Sequence, residues 1–398
     1  MPVTDKRSFP VRRDPDWDPG EHDAVPDRMQ KMRQMRAQCP VSYTARATGY
    51  WTLLKYADIK RAALDTQIFG NGGAPRHGVP LPPLEVDPPL HREYRLLLNP
   101  FFMPKRVQAL EPRVRRIADN LIAPLVARGT ADLAKELSYP LPVLTLCALL
   151  DLREDAWADV KRLSEESLLV ESHQPEERVR ARAAHLGLME YARELVADRL
   201  AHPRASTEDI TSALLAAHVG GSPIGPDTAA GMLRLLISAG HNSTTSGFGN
   251  ALLYLARHPD AQQHLRENPD EIPTAVEELL RYETPVQGMP RYLHKDITLN
   301  GRELLAGERV DLMYGSANRD EEVFEQADQC LIHRKPNRHV AFGHGIHTCI
   351  GAPIARMEMR VGLECLLAQC SSFRVAGEVV RAAYHRVGVE SLPAILDR

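Results

Sequence analysis

The chain has 398 residues, enough to bury a cofactor completely, and its 43% hydrophobic and 25% charged residues are typical of a globular protein. A net charge of −3 argues against a general basic surface for nucleic acid. The polar N-terminus has no signal-peptide core, and no apolar run reaches about twenty residues. We therefore expect a cytoplasmic protein that binds neither nucleic acid nor membrane.

The first part of the chain predicts a loosely ordered lead-in over residues 1–23, followed by a helix, a strand and a second helix. From Phe69 to Val86 the sequence is rich in glycine and proline, which is typical of a long irregular loop that carries function. The six cysteines include no CxxC pair, so we expect reduced thiols. Because no repeat or shift in composition marks a boundary, we expect one domain over residues 1–398.

A helix is predicted after Asp87-Pro88-Pro89. On it, His91 and Arg95 are four residues apart and therefore share one face. Two donor side chains on one face suit a pair of carboxylates, although this spacing is more often found on a solvated helix face.

A long helix is predicted from Pro226 to about His258. Typical helices have about eleven or twelve residues, and a much longer one that is apolar on most faces should run through the middle of the protein. Its centre reads Ala239-Gly240-His241-Asn242-Ser243-Thr244. Hydroxyl side chains can compete for backbone carbonyls, so we expect a locally widened turn there.

The next helix carries Glu278 and Arg281, three residues apart and separated by two leucines. This spacing allows an ion pair on one face. The spacing alone is weak evidence, since the chain repeats it elsewhere, as at Glu177/Arg180 and Glu190/Arg193. Its position before the cysteine loop described next is what distinguishes this pair.

The stretch from Phe342 to Gly351 contains one cysteine, Cys349, after a loop with Gly343 and Gly345, which permit positive φ. A helix should begin directly after it. Unpaired N–H groups at a helix start lower a thiol's pKa, so we expect an anionic sulfur suited to a metal. A buried structural cysteine is the alternative.

The spacing Phe-x-x-Gly-x-x-x-Cys, with further matches at Gly343, His347 and Gly351, resembles the haem-binding loop of the cytochrome P450 family. The His91/Arg95 helix, the long helix and the Glu278/Arg281 pair precede it in the family's order. The resemblance implies a mainly α-helical fold with a small β part (α+β). It also implies haem b between the central helix and the cysteine loop.

The resemblance assigns roles by position. Cys349 is the implied axial ligand of the iron, and a thiolate in that place favours O–O cleavage. The implied propionate contacts are His91, Arg95, Arg291 and His347. Other implied haem contacts are Phe342, Gly343, Gly351, Ala239 and Gly240. The implied substrate pocket contains Val286, Gln287, Met289, Leu236 and Val79, with a mobile lid over Leu163 to Arg180.

This chain departs from the family pattern Ala-Gly-x-(acid)-Thr, in which the acid and the threonine relay protons. In this chain Asn242 occupies the position of the acid, and Ser243 occupies the position of the threonine. Ser243 can still donate, whereas Asn242 cannot ionise. Either water, His241 or Thr244 completes the relay, or oxygen activation is impaired. A second register makes Thr244 the key hydroxyl.

The ion-pair network departs from the family as well. A third arginine normally joins Glu278 and Arg281, and the matching position here is Gln329. Either the network is reduced, or Arg319 or Arg334 takes the third place.

The implied activity is that of a haem-thiolate monooxygenase, which oxidises or O-dealkylates a small organic substrate with O2 and two external electrons. The chain has no flavin, nicotinamide or cluster motif, so we expect a ferredoxin and its reductase as the source, acting on a monomer. A peroxide-driven peroxygenase and a non-catalytic haem sensor or carrier are the alternatives. We expect a basic docking surface for this redox partner near the thiolate side, made of Arg92, Lys105, Arg106, Arg113, Arg115, Arg116 and Arg356.

Overall fold

The computed structural model describes residues 15–19, 25–46, 49–72, 81–152, 157–167, 174–382 and 386–398. The first half contains α1 (Val25–Gln38), β1 (Val41–Thr44), β2 (Tyr50–Leu53), α2 (Tyr56–Leu64), β3 (Phe69–Gly70), α3 (Leu90–Phe102), α4 (Pro104–Arg128), β4 (Thr130–Asp132), a π-helical turn (Ala134–Ser138), α5 (Pro140–Leu150), α6 (Trp157–Ser167) and α7 (Pro175–Ala201).

The second half begins with α8 (Ile210–Leu215) and the short strands β5 (His218–Val219) and β6 (Ser222–Pro223). It continues with α9 (Pro226–Arg257), α10 (Pro259–Glu267), a 3-10 turn (Pro269–Glu271), α11 (Ile272–Tyr282), β7 (Met289–Leu293), β8 (Ile297–Leu299), β9 (Arg302–Leu304), β10 (Arg309–Leu312), α12 (Tyr314–Ala317), a second 3-10 turn (Gly345–His347), α13 (Ala352–Gln369), β11 (Ser372–Val375), β12 (Val380–Arg381), β13 (Val389–Ser391) and β14 (Pro393–Asp397).

The long helix predicted from Pro226 is confirmed as α9, with 32 residues and proline in its first turn. It packs against α5, α7, α10, α11 and α13, and most of its side chains are buried. Every residue of α9 is α-helical, so the expected widened turn is absent from it. His241 and Asn242 do bond the carbonyls of Ile237 and Ser238 one turn earlier, but these bonds leave the helix continuous.

The β part is small. Its main sheet has the order β1-β2-β10-β7-β3, in which β2 and β10 are parallel and the other neighbours antiparallel. A second sheet has the order β11-β14-β4. The predicted Asn-Gly hairpin joins β8 to β9, and Asn300 and Gly301 both have positive φ, as a type I′ turn requires.

Two hydrophobic clusters fill the interior. The larger one surrounds α9 and includes α4, α5 and α13, and the smaller one lies between the main sheet, α1 and α2. The single domain over 1–398 stays a prediction. Of the lead-in, only 15–19 lie within the described residues. Among the described helices, none combines the length and apolarity needed to cross a bilayer.

Candidate active site

The cysteine loop has the predicted backbone. Gly343 and Gly345 have φ of +74° and +75°, and a Cβ at Gly345 would collide with the backbone carbonyl of Ala63. The Cys349 N–H donates to the Phe342 carbonyl at 2.8 Å and closes the loop. Helix α13 then begins at Ala352, with a proline in its first turn. Glycine is therefore required in this loop by both conformation and close packing.

The electrostatics of Cys349 correct one prediction. The N–H groups of Gly351 and Ala352 and the charges of Arg95 and Arg356 all favour the thiolate, as expected from a helix start. Desolvation by the surrounding protein is nevertheless the largest influence and raises the net pKa of the thiol, although the Cys349 residue itself is accessible from the site. The expected low pKa is thus wrong for the polypeptide alone. A metal ion bound to the sulfur would remove the proton outright.

A cationic cluster lies next to this loop. The rings of His91 on α3 and His347 in the loop meet edge to face, 4.4 Å between centroids. Burial, and then the charge of Arg95, lower the pKa of His91 to about 4. Burial, and then Arg291, lower that of His347 to about 3. The buried Nε2 of His91 has no hydrogen-bond partner among the described residues. Arg95 and Arg291 carry the positive charge of this cluster, and the buried His91 Nε2 still requires a hydrogen-bond partner.

One strip in the middle of α9 is accessible, although most of the helix is buried. Ala239 and Gly240 are exposed, and Leu236 and Ser243 are partly exposed. These positions are three and four residues apart, so they form one strip. A Cβ on Gly240 would come within 2.9 Å of Leu146 of α5, which explains the glycine. A mostly apolar strip in the middle of a buried helix fits an apolar bound group.

The neighbouring polar residues of α9 face the interior. His241, Asn242 and Thr244 are buried, so Ser243 alone of these four opens onto the accessible strip. His241 hydrogen-bonds the Ile237 carbonyl through Nδ1, and burial lowers its pKa to about 4. It is therefore neutral at pH 7 and is not on the strip.

Sequence reasoning missed a buried acid, Glu358 of α13. Its side chain is 2% exposed, its oxygen Oε2 lacks a partner among the described residues, and the hydroxyls of Thr145 and Thr244 are its hydrogen-bond neighbours. Burial raises its pKa well above the ordinary range. Thr145 donates its only proton to the Leu141 carbonyl, so it can only accept from Glu358, which suits a protonated carboxyl. The available signal was an acid in the apolar stripe of α13.

The predicted pair of Glu278 and Arg281 is confirmed and fully buried. Arg281 donates to both carboxylate oxygens, at 2.7 and 2.8 Å. The third arginine is Arg334, one of the two candidates. Arg319 instead bonds the Tyr282 carbonyl. Glu177/Arg180 and Glu190/Arg193, which have the same spacing, are looser, at 3.5 and 3.7 Å, and both pairs are accessible to solvent.

The predicted substrate residues divide into three groups. Leu236, Val286 and Met289 are partly exposed, as a pocket wall requires. Gln287 is 2% exposed, and its amide donates to the Thr284 carbonyl at 2.6 Å, whereas Val286 before it is partly exposed, as alternation along extended backbone produces. The contact of Gln287 with substrate stays a prediction. Val79 and part of the lid, 168–173, lie outside the described residues.

Residues 175–394 match the family model described as Cytochrome P450. The chain belongs to the cytochrome P450 family. It is 34% identical to cytochrome P450 107B1 of Saccharopolyspora erythraea, over 88% of this chain and 89% of that protein. It is also 34% identical to vitamin D(3) 25-hydroxylase of Pseudonocardia autotrophica, over 84% of each. Its fold is similar to that of CYP109E1 from Bacillus megaterium in complex with corticosterone, with a TM-score of 0.81 and 30% sequence identity. The match covers 93% of this chain and 98% of that structure's chain.

These findings confirm the predicted mainly helical α+β fold, the haem prosthetic group with a thiolate ligand, and the monooxygenase activity. The residues present fit the group. A cysteine sulfur, an unpartnered buried His91 nitrogen beside two arginines and an accessible, mostly apolar strip all occur in this P450.

Proposed function

We propose that Cys349 is the axial ligand in this P450, and that His91, Arg95, Arg291 and His347 hold the haem propionates. The observation that carries the proposal is the unpaired, buried Nε2 of His91 beside two arginines and a second histidine. Carboxylates placed there would supply the missing acceptor and compensate the positive charge. When bound, the haem supplies the oxidation itself, using O2 and two electrons.

The proton route forms the second part of the proposal. Asn242 cannot hold a titratable proton, and His241 is buried away from the accessible strip. Glu358 holds a proton on its carboxyl, and the Thr244 hydroxyl next to it can pass that proton toward the neighbouring Ser243. Ser243 then presents a hydroxyl donor to the strip. Water completes the remaining gap.

The electron donor that we propose is a ferredoxin, supplied by its reductase. Several of the predicted basic residues are engaged internally: Arg115 pairs with Glu364, and Arg356 with Glu277. The exposed Arg92, Lys105 and Arg116 form no ion pair with any described residue, and they lie on α3 and α4, the latter packed against α13. An acidic ferredoxin would meet these free charges near the thiolate side.

The substrate that we propose is a small, largely apolar organic molecule, oxidised by a monomer in the cytoplasm. The accessible side chains Leu236, Ala239, Val286 and Met289 are all apolar. The names of two related proteins, a vitamin D(3) hydroxylase and a structure holding corticosterone, make steroid-like compounds a rational start. Terpenes, aromatic acids and macrolides complete a useful panel.

An optical spin-state titration of the haem-loaded protein tests this proposal. A saturating shift toward high spin with one class identifies the ligand class, which then enters turnover with ferredoxin and reductase or with peroxide alone. Turnover by peroxide without reductase would instead favour the peroxygenase. Tight binding without product under either condition would favour a carrier. Cys349→Ala should abolish the thiolate spectrum of the reduced carbon monoxide complex, and retention of that spectrum would exclude Cys349 as the ligand.

A further inference from the structure

Two histidines and one glutamate converge away from the haem site. His264 lies in the last turn of α10, Glu271 ends the following 3-10 turn, and His333 lies in the segment that leads to the cysteine loop. One ligand atom from each lies within 4.8 Å of the others. His264 Nε2 and Glu271 Oε2 are 2.9 Å apart, and the two imidazole rings are 5.6 Å apart at 69°.

Each of these side chains is carried by a firmly anchored stretch of backbone. Leu265, next to His264, is fully buried, and Ile272, next to Glu271, is 1% exposed. His333 stands between buried Ile332 and Arg334, whose guanidinium is held by Glu278. The three positions are therefore fixed by packing, while the side chains themselves remain accessible to an ion from solvent.

The donor set selects the kind of ion. Two imidazole nitrogens and one carboxylate oxygen suit Zn²⁺, which binds them at about 2.0–2.2 Å, whereas magnesium and calcium prefer oxygen alone. Tetrahedral zinc requires ligand atoms about 3.3–3.5 Å apart. The first pair, at 2.9 Å, is slightly closer than this, and the three ligand atoms lie within 4.8 Å of one another, so small side-chain rotations should suffice to bring them to these distances.

We propose that His264, Glu271 and His333 form a zinc site with a water in the fourth position. The ion would tie the junction between α10 and α11 to the segment that holds the Glu278 network. Zinc would therefore stabilise the protein without taking part in the oxidation, since it binds only the folded arrangement.

The simpler reading is a surface ion pair between His264 and Glu271, with His333 nearby by chance. The two readings differ at His333. It forms no hydrogen bond or ion pair with Glu271, so the ion-pair reading gives it no part in metal binding. A zinc site requires it as a ligand. The side chain of His333 is exposed, so its replacement should leave the fold intact.

The experiment is calorimetric titration of zinc chloride into the full-length, haem-loaded protein after removal of metals by a chelator and of the chelator by dialysis. We expect one zinc per chain and a thermal midpoint that rises with zinc concentration. His333→Ala should weaken binding by more than the roughly tenfold loss seen for a residue that only supports a ligand. His264→Ala should do the same, whereas His218→Ala, an exposed histidine on β5, should leave binding unchanged.

Several outcomes would overturn the proposal. These are no zinc binding by the unmodified chain, unchanged affinity in His333→Ala with its haem spectrum intact, or an equal loss in His218→Ala. X-ray absorption at the zinc edge independently identifies the ligand atoms around the ion. Nitrogen and oxygen ligands with imidazole scattering are expected, and a sulfur ligand would instead place the ion at a cysteine.

Discussion

Arg334 donates through Nε to both carboxylate oxygens of Glu278, at 3.1 and 3.0 Å. Arg281 binds the same two oxygens, and the Leu331 N–H and the Asn337 amide also donate to them. One buried carboxylate thus holds α11 against the segment that leads to the cysteine loop. Satisfying every lone pair is what makes a buried ion pair tolerable.

Arg334→Ala should lower the free energy of unfolding by about 2 kcal/mol, since a hydrogen bond to a charged group contributes about 1.5–3 kcal/mol. Arg281 still compensates the charge of Glu278, so the loss should be smaller than the about 3–5 kcal/mol for a fully unpaired buried charge. Urea unfolding of the haem-loaded protein, followed by far-UV circular dichroism, measures it. Arg338→Ala, an exposed arginine of the same segment, is the control. Equal curves for both variants would contradict the prediction.

His91→Leu should speed the loss of haem. If His91 Nε2 bonds a propionate, the lost interaction of about 1.5–3 kcal/mol corresponds to roughly ten- to hundredfold faster transfer. Transfer of haem to excess apomyoglobin gives the rate. The apoprotein should lose no stability, because His91 Nε2 has no partner among the described residues. His218→Leu serves as the control, and a transfer rate equal to that of the control would argue against a propionate contact.

The stability of this P450 should fall on mild acidification, in part because of His241. The pKa of His241 is about 4 in the folded protein and about 6.5 in an unfolded chain. Between these values the unfolded chain binds more protons, so the free energy of unfolding rises with pH and falls as pH drops from about 6.5 toward 4. Each such histidine contributes at most about 1.4 kcal/mol per pH unit.

His241→Gln should flatten this dependence, and His218→Gln should not. The measurement is the urea midpoint at pH 7.0, 6.0 and 5.0 with haem bound. Glutamine can still donate to the Ile237 carbonyl, so the fold at pH 7 should be preserved. An unchanged slope in His241→Gln would show that other groups cause the acid sensitivity.

Local rules predicted the local features of this chain. Proline and apolar content predicted α9 to within one residue of its end, and glycine spacing predicted the positive φ of Gly343 and Gly345. The Glu278/Arg281 pair followed from helix geometry. In each case the deciding interactions lie within one element or one loop.

Features set by distant parts of the chain could not be read in the same way. The N–H groups beside Cys349 are local, but desolvation by distant parts of the chain outweighs them and raises the pKa of the thiol. Arg334, and not Arg319, is the third partner of the Glu278 network because of the path by which its segment packs against α11, and that path is not visible in the sequence. The raised pKa of Glu358 could not be predicted, because it depends on the packing of α13 against the helices that carry Thr145 and Thr244. Tertiary burial is the common cause.

The docking surface predicts a salt-sensitive defect. Changing Arg92, Lys105 and Arg116 together to alanine should raise the apparent KM for ferredoxin about tenfold at low salt, since exposed pairs contribute about 0.2–1 kcal/mol each. The difference should shrink at high salt because the charges are then screened. Steady-state turnover with saturating substrate measures both. Arg182→Ala, an exposed arginine of α7, is the control. A salt-independent defect would indicate a cause other than docking.

Asn242→Asp should increase the amount of product formed per electron pair and decrease the release of peroxide. The substitution restores a titratable group next to Ser243, where burial should raise the pKa of the new carboxyl so that it can hold and pass a proton. Product and peroxide are measured together during turnover with a substrate that gives the full spin shift. Asn242→Leu, similar in size and unable to carry a proton, should show no gain.

The effect of Glu358 on this gain distinguishes the two proton routes. Glu358→Gln preserves shape and neutrality but removes the transferable proton, so it should lower coupling when Asn242 is present. In the Asn242→Asp background the new acid supplies the proton, and Glu358→Gln should then have little effect. The two substitutions are therefore non-additive if they serve the same step. Additive losses, with haem content equal in all variants, would mean that Glu358 only supports packing between α13 and α9.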